Sequence, residues 1–165
     1  MTAEEFQREL IEEVEKILRD IQTENTAGET VTGVKGYEQM LPIVVNDEED
    51  DSQFFPYFIV KLGDGKTQDD DSPWIVTTDI YLGCHDNSEK AEGHRHILNM
   101  VQKICDRFAA EPLMNSKFRA EPDMEWALQD EDTYPFYFGG VRIRFNIPKI
   151  GRRTPNYGKS EGIYC

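Results

Sequence analysis

The chain has 165 residues, 18 Lys and Arg against 32 Asp and Glu, a net charge of −14 and a pI near 4.6. Nonspecific binding to a phosphate backbone, which draws on basic side chains that displace condensed counterions, is excluded by that balance unless a basic patch is hidden locally. The length fits one domain with its own core, and 11% aromatic residues argue against disorder throughout.

Phe6, Leu10, Ile11, Val14, Ile17, Leu18 and Ile21 recur at steps of three and four between charged residues, which predicts a helix over about 3–24 with one apolar stripe. Thr2 with Glu5 three positions later reads as a capping box at its start. Asn25 to Gly28 is the expected stop, and Val31 to Tyr37, broken by Gly33 and Gly36, reads as a weak strand. Two acidic stretches, Asp47–Asp51 and Asp69–Asp71, read as solvated loops. Pro56–Leu62 and Trp74–Leu82 have the alternation of strands and are expected to pair antiparallel through the second acidic loop.

Asp86, Asn87 and Ser88 are candidate caps for a second helix, whose stripe of His94, Ile97, Leu98, Val101, Ile104, Cys105 and Phe108 runs until Pro112. Burying six apolar side chains of that stripe contributes on the order of 10 kcal/mol before ordering entropy is subtracted. Met124–Gln129 and Phe136–Ile147 are the last predicted strands. In the second of these Tyr137, Val141, Ile143, Phe145 and Ile147 share a face, Arg142, Arg144 and Asn146 take the other, and Gly139–Gly140 suggests a bulge. The order helix, strands, helix, strands predicts a single α+β domain over 1–148, a largely antiparallel sheet covered on one face by two main helices.

Residues 149–165 differ in character. Lys149, Arg152, Arg153 and Lys159 against Glu161 give this segment +3 and leave −17 on residues 1–148. With four glycine or proline interruptions and no periodicity it reads as a basic, flexible C-terminal arm, in which Tyr157, Ile163 and Tyr164 are apolar groups suited to burial against a partner.

Searches for chemistry fail on spacing. Gly65-Lys66-Thr67 resembles the end of a phosphate loop, but Val60 stands where its first glycine belongs, so Gly63–Thr67 reads as a hairpin turn. Counting a calcium loop from Asp69 puts Trp74 and Ile80 at the glycine and twelfth-residue acid positions. His94 and His96 point about 200° apart on a helix and cannot share one zinc ion, so His94 is expected semi-buried on the stripe and His96 exposed. Cys84 and His85, adjacent on a strand, face opposite ways, which leaves the thiol unactivated. No paired carboxylates or nucleophile elbow appear, so no catalytic, cofactor or metal residues are assigned and no enzyme activity is expected. Three cysteines at spacings of 21 and 60 fit reduced thiols. The longest apolar run, Phe54–Val60, has seven residues, far below the roughly 20 of a bilayer span, and the acidic N-terminal stretch does not read as a signal, so a cytosolic protein is expected.

Arg142 and Arg144 stand out as two cations on one strand face in a chain short of positive charge. They read either as a solvated face paired with Glu125 or Gln129, or as an interface.

Thr78-Asp79-Ile80-Tyr81-Leu82-Gly83, a polar turn, the helix segment Ile97–Ile104, Met124-Glu125-Trp126, Tyr134–Val141 and Phe145-Asn146-Ile147-Pro148 together resemble the tail terminator or tail completion proteins of long-tailed phages and prophages. The resemblance spans residues 57–148. It implies a small α+β subunit that forms a ring, usually hexameric, on the end of a tail tube, stops polymerisation and offers the surface for joining the head. The implied partners are copies of itself, the tail tube protein and head–tail connector proteins, in the virion tail and in the host cytoplasm during assembly, with no cofactor, no direct nucleic-acid binding and no membrane. Interface candidates are Arg142, Arg144, Arg152, Arg153 and Tyr157, with the +3 arm lying on the −17 body of a neighbour. The alternative is an acidic mimic of nucleic acid that occupies the groove of a host DNA-binding enzyme. A hydrolase holding a metal on the aspartates is a third class, and neither magnesium nor manganese turnover is expected.

Overall fold

The computed structural model describes residues 2–45 and 51–151. The first helix, α1, spans Ala3–Ile17, and its start is fixed by Thr2, whose hydroxyl accepts a hydrogen bond from the Glu5 N–H at 3.0 Å. It ends seven residues before the sequence periodicity suggested. Leu18 leaves helical geometry, and the chain turns so that Ile21 reaches the same core from outside the helix, which is why the apolar spacing continues in the sequence past the end of the helix.

Three short strands follow, β1 (Gln22–Glu24), β2 (Thr30–Thr32) and β3 (Lys35–Glu38). Asn25–Gly28 is therefore the turn of the β1–β2 hairpin and not a helix stop, with the Asn25 side chain accepting from the N–H groups of Ala27 and Glu29. Gly33 separates β2 from β3 at φ +91°, a conformation that favours glycine. A 3-10 turn at Asp51–Phe54 leads into β4 (Tyr57–Lys66), and β5 (Trp74–His85) pairs with it antiparallel, as expected from the alternation. The expected turn at Gly63–Thr67 is displaced. β4 continues to Lys66 through an irregularity between Leu62 and Gly65, so the reversal falls in 67–73.

The second helix, α2, spans His94–Ala110 with Gly93 at its N-cap and no side-chain cap. Asp86, Asn87 and Ser88 belong to the preceding loop, where Asp86 accepts from the Ser88 N–H. β6 (Leu113–Met114), β7 (Phe118–Leu128) and β8 (Phe136–Ile147) complete the sheet. β8 has the limits the alternation predicted. The bulge does not lie at Gly139–Gly140, where pairing on both sides of β8 is continuous, but in β7 between Ala120 and Met124. Gly139 is required by contact instead: a Cβ there would meet Ile97 Cγ2 at 2.5 Å, so its absence lets α2 approach the sheet.

Among the described residues these strands form one eight-stranded sheet. β5 and β8 run antiparallel at its centre, β7 and then β6 lie beyond β8, and β4 lies beyond β5. β3 joins β4 parallel, and the β1–β2 hairpin meets β5 at His85. Both helices pack on one face, giving the α+β architecture expected from the element order. Phe6 of α1 is fully buried, its ring 5.1 Å from Phe118 and 5.0 Å from Phe145, and Phe108 of α2 meets Phe145 from the other side at 5.2 Å. Around this aromatic centre Leu10, Val14, Ile80, Ile104 and Ile143 close the core. Ion pairs fix the outer helix faces: Arg107 of α2 donates to Glu13 of α1 at 2.8 Å, and Lys117 reaches Glu5 and Glu9 at 3.0 and 2.9 Å.

Candidate interaction surface

The helices leave the second sheet face open, and strand alternation decides what it displays. Tyr57 and Lys61 of β4, Asp79, Tyr81 and His85 of β5, Phe136, Phe138, Gly140, Arg142 and Arg144 of β8, and Glu125 and Ala127 of β7 point this way. Three zones result.

At one end, Phe55 packs over the sheet with ring centroids 4.9 Å from Tyr57, 4.8 Å from Phe136 and 5.7 Å from Phe138. His85 is buried beside Phe136, with its Nδ1 unpartnered among the described residues.

At the other end lie the two arginines singled out in the sequence. Arg142 Nε donates to Asp79 Oδ1 at 2.7 Å and a terminal nitrogen donates to Oδ2 at 3.1 Å, a two-pronged pair between residues directly opposed in register. These bonds from the Asp79 carboxylate push the arginine pKa further up. Arg144 donates to Asp123 Oδ2 at 2.9 Å. The partners are thus Asp79 and Asp123, not Glu125 or Gln129. Glu125 is opposite Arg142 on β7, but the fork of the guanidinium is already engaged across β5, and the β7 bulge brings Asp123 beside Arg144. Arg152, Arg153 and Tyr157 lie outside the described residues.

Between these zones is a groove of about 710 Å³. Gly140 forms its floor and has no side chain to fill it; Ala127, directly opposite on β7, fills little more. Tyr81 and Phe138 form its apolar walls, Asp79, Glu125 and Arg142 its charged rim, and Trp126 stands at the sheet edge. Tyr81 and Trp126 are 44% and 55% exposed, large apolar groups facing solvent. No local pattern in the sequence marks this groove. Its signal, two small residues opposed between larger ones, exists only once the register of β7 against β8 is known.

The residues tested for chemistry are spread apart. His94, at the first position of α2, is exposed, while His96 is half-buried and bonded to Asp86 at 3.2 Å, the reverse of the expectation. His94 stands at the start of α2, ahead of Ile97, the first of its buried residues, while His96 turns back to Asp86 of the 86–93 loop. Cys84 is buried on the helix side, its sulfur 3.5 Å from the Gly93 carbonyl oxygen, and burial pushes its pKa up to about 12. Asp69 is bound into its own turn, accepting from the Ser72 hydroxyl and from the N–H groups of Asp71 and Ser72, bonds that lower its pKa. Of the Asp47–Asp51 run only Asp51 is described. Among the described residues no three His, Cys, Asp or Glu side chains gather at metal-holding distance, and no helix is long and apolar enough to cross a membrane. Compared with known proteins, the chain matches no family model and no curated protein sequence.

Proposed function

We propose that this protein is a tail terminator of a long-tailed phage or prophage. It assembles with copies of itself into a ring, a hexamer by the resemblance, that caps the tail tube, ends its polymerisation and offers the surface to which head–tail connector proteins attach. It acts by fitting surfaces together and catalyses no reaction. It is built in the host cytoplasm and resides in the virion tail.

One observation carries the reading: a wide sheet face left free of helices, holding the exposed Tyr81 beside ordered ion pairs on a rigid backing. β5 and β8 pair without a break from Trp74–Ile147 to His85–Phe136, so Tyr81, Asp79 and Arg142 are held on regular strands rather than loops. A docking surface gains from such pre-organisation, since little side-chain freedom is left to lose on contact. The segments that resemble tail terminators include half of β5 and most of β8, the two strands at the centre of this face.

The test adds the purified protein to tail-tube subunits during polymerisation. Tubes capped at one end and shortened as the protein concentration rises support the proposal. Unchanged tube lengths with no protein at the tips refute it.

A further inference from the structure

The groove over Gly140 has an apolar floor, an acidic surround and no occupant among the described residues. Asp79 and Glu125 stand on its rim, and just beyond Gln129 come the exposed Asp130, Glu131 and Asp132, against which only Arg142 is basic. The groove is also open at the side, because no described strand flanks the outer edge of β7 at Met124–Leu128. A ligand suited to it has one aromatic ring to place over Gly140 and Ala127, between Tyr81 and Phe138, with cations on either side.

The chain supplies such a segment. Residues 152–165 carry Arg152, Arg153 and Lys159 against Glu161 alone, a net +2, and Tyr157 lies between the cations. Chain length favours the groove of a neighbour over its own. From Gly140 to Ile147 β8 runs seven residues, about 23 Å at the strand rise. The chain then continues past the end of the sheet, where Lys149 is fixed to the 67–73 turn by bonds to the Thr67 hydroxyl at 2.8 Å and to the Asp69 carbonyl oxygen. The six residues from Gly151 to Tyr157 extend about 22 Å at most. To reach its own groove Tyr157 would need these residues to double back fully extended over that whole distance with its side chain outstretched, whereas the same ring on a neighbouring molecule has no such limit.

We infer that the Gly140 groove receives Tyr157 of a second copy of this chain, with Arg152, Arg153 and Lys159 set against the acidic rim. Each molecule offers one groove and one tyrosine, so the contact closes as a reciprocal pair or, passed from each molecule to the next, builds a ring; the ring is the form that the assembly proposed above requires. This inference rests on the self-assembly proposed above and names the residues that make it.

Two full-length variants test it. Tyr157→Ala removes the anchor and leaves the groove open. Ala127→Arg fills the groove and repels the basic segment, and because Ala127 is exposed the fold tolerates it; thermal unfolding checks this, with Ala127→Ser as a control that keeps the groove. In sedimentation velocity over a concentration series, each variant alone is expected to self-associate about tenfold or more weakly than the parent chain. Mixed one to one, the two are expected to form a dimer that grows no further, the tyrosine of one in the groove of the other. If either variant assembles like the parent, or the mixture stays monomeric while the parent assembles, the groove contact is wrong and self-assembly through another surface stands. If the parent chain itself stays monomeric throughout, the self-assembly reading fails, and the groove contact with it.

Discussion

Phe6 joins α1 to the aromatic centre of the core, and its truncation gives the sharpest test of that packing. The side chain is fully buried between the rings of Phe118 and Phe145, with centroids at 5.1 and 5.0 Å. Phe6→Ala removes the transfer free energy of the ring and leaves a cavity walled by β7 and β8, whose paired backbones cannot collapse into it; such changes cost about 3–5 kcal/mol. With ~5–15 kcal/mol holding a domain of this size together, the variant remains folded but loses a large share of its stability. At ~2–4 °C per kcal/mol, the midpoint of thermal unfolding falls by on the order of 10 °C. Urea denaturation followed by tryptophan fluorescence reads the loss at equilibrium, with the slope against urea unchanged if the same surface is exposed. Phe145→Ala costs a similar amount, and the double variant costs less than the sum because the two rings share one contact. A loss below about 1 kcal/mol for Phe6→Ala would show that α1 is not seated where the account places it.

The remaining predictions concern separate features. Gly139→Ala drives a Cβ into Ile97 Cγ2 and is expected to destabilise by about 1–3 kcal/mol, with Ile97→Ala costing less in the Gly139→Ala background than alone; urea titration of the four proteins checks this. Thr2→Ala removes the N-cap bond to Glu5 and costs about 1 kcal/mol by the same assay, whereas Thr2→Gly costs only a few tenths. Cys84, raised to about 12 by burial, is expected to resist alkylation at pH 8 until urea is added, measured by mass after iodoacetamide. Because its folded pKa lies above the unfolded value near 9, the folded chain holds this proton longer. Its contribution is complete below pH 9 and is lost as pH rises toward 12, by up to about 1.4 kcal/mol per pH unit, a loss that Cys84→Ala removes from the pH profile.

Where one physical rule acts alone, the sequence is readable. β8 alternates without interruption over its whole length, so its limits and its buried face follow from period-two patterning, and Thr2 with Glu5 marks the start of α1. Errors arise where tertiary contact replaces local pattern. Ile21 prolongs the helical rhythm because a turn carries it back to the same core, although the helix has already ended at Ile17. The first half of β7 is hidden by Glu121, Pro122 and Asp123, which break the alternation at the bulge. Strand β5 runs past Leu82 through Gly83, Cys84 and His85 because each is buried by a different neighbour, the aromatic cluster on one face and α2 on the other. On the open face the sequence picks out Arg142 and Arg144 as unusual, but their partners follow from register and from the bulge, which no single segment encodes. The Gly140 groove is further still from the sequence, since it depends on what β5, β7 and β8 each leave small at one level.

The central claim is that this protein works by assembling with copies of itself, and the mass of the intact full-length chain in native conditions across a concentration series tests it most directly. Discrete oligomers that grow with concentration toward a closed ring, six subunits by the resemblance, are expected. A monomer that persists at every concentration would contradict it.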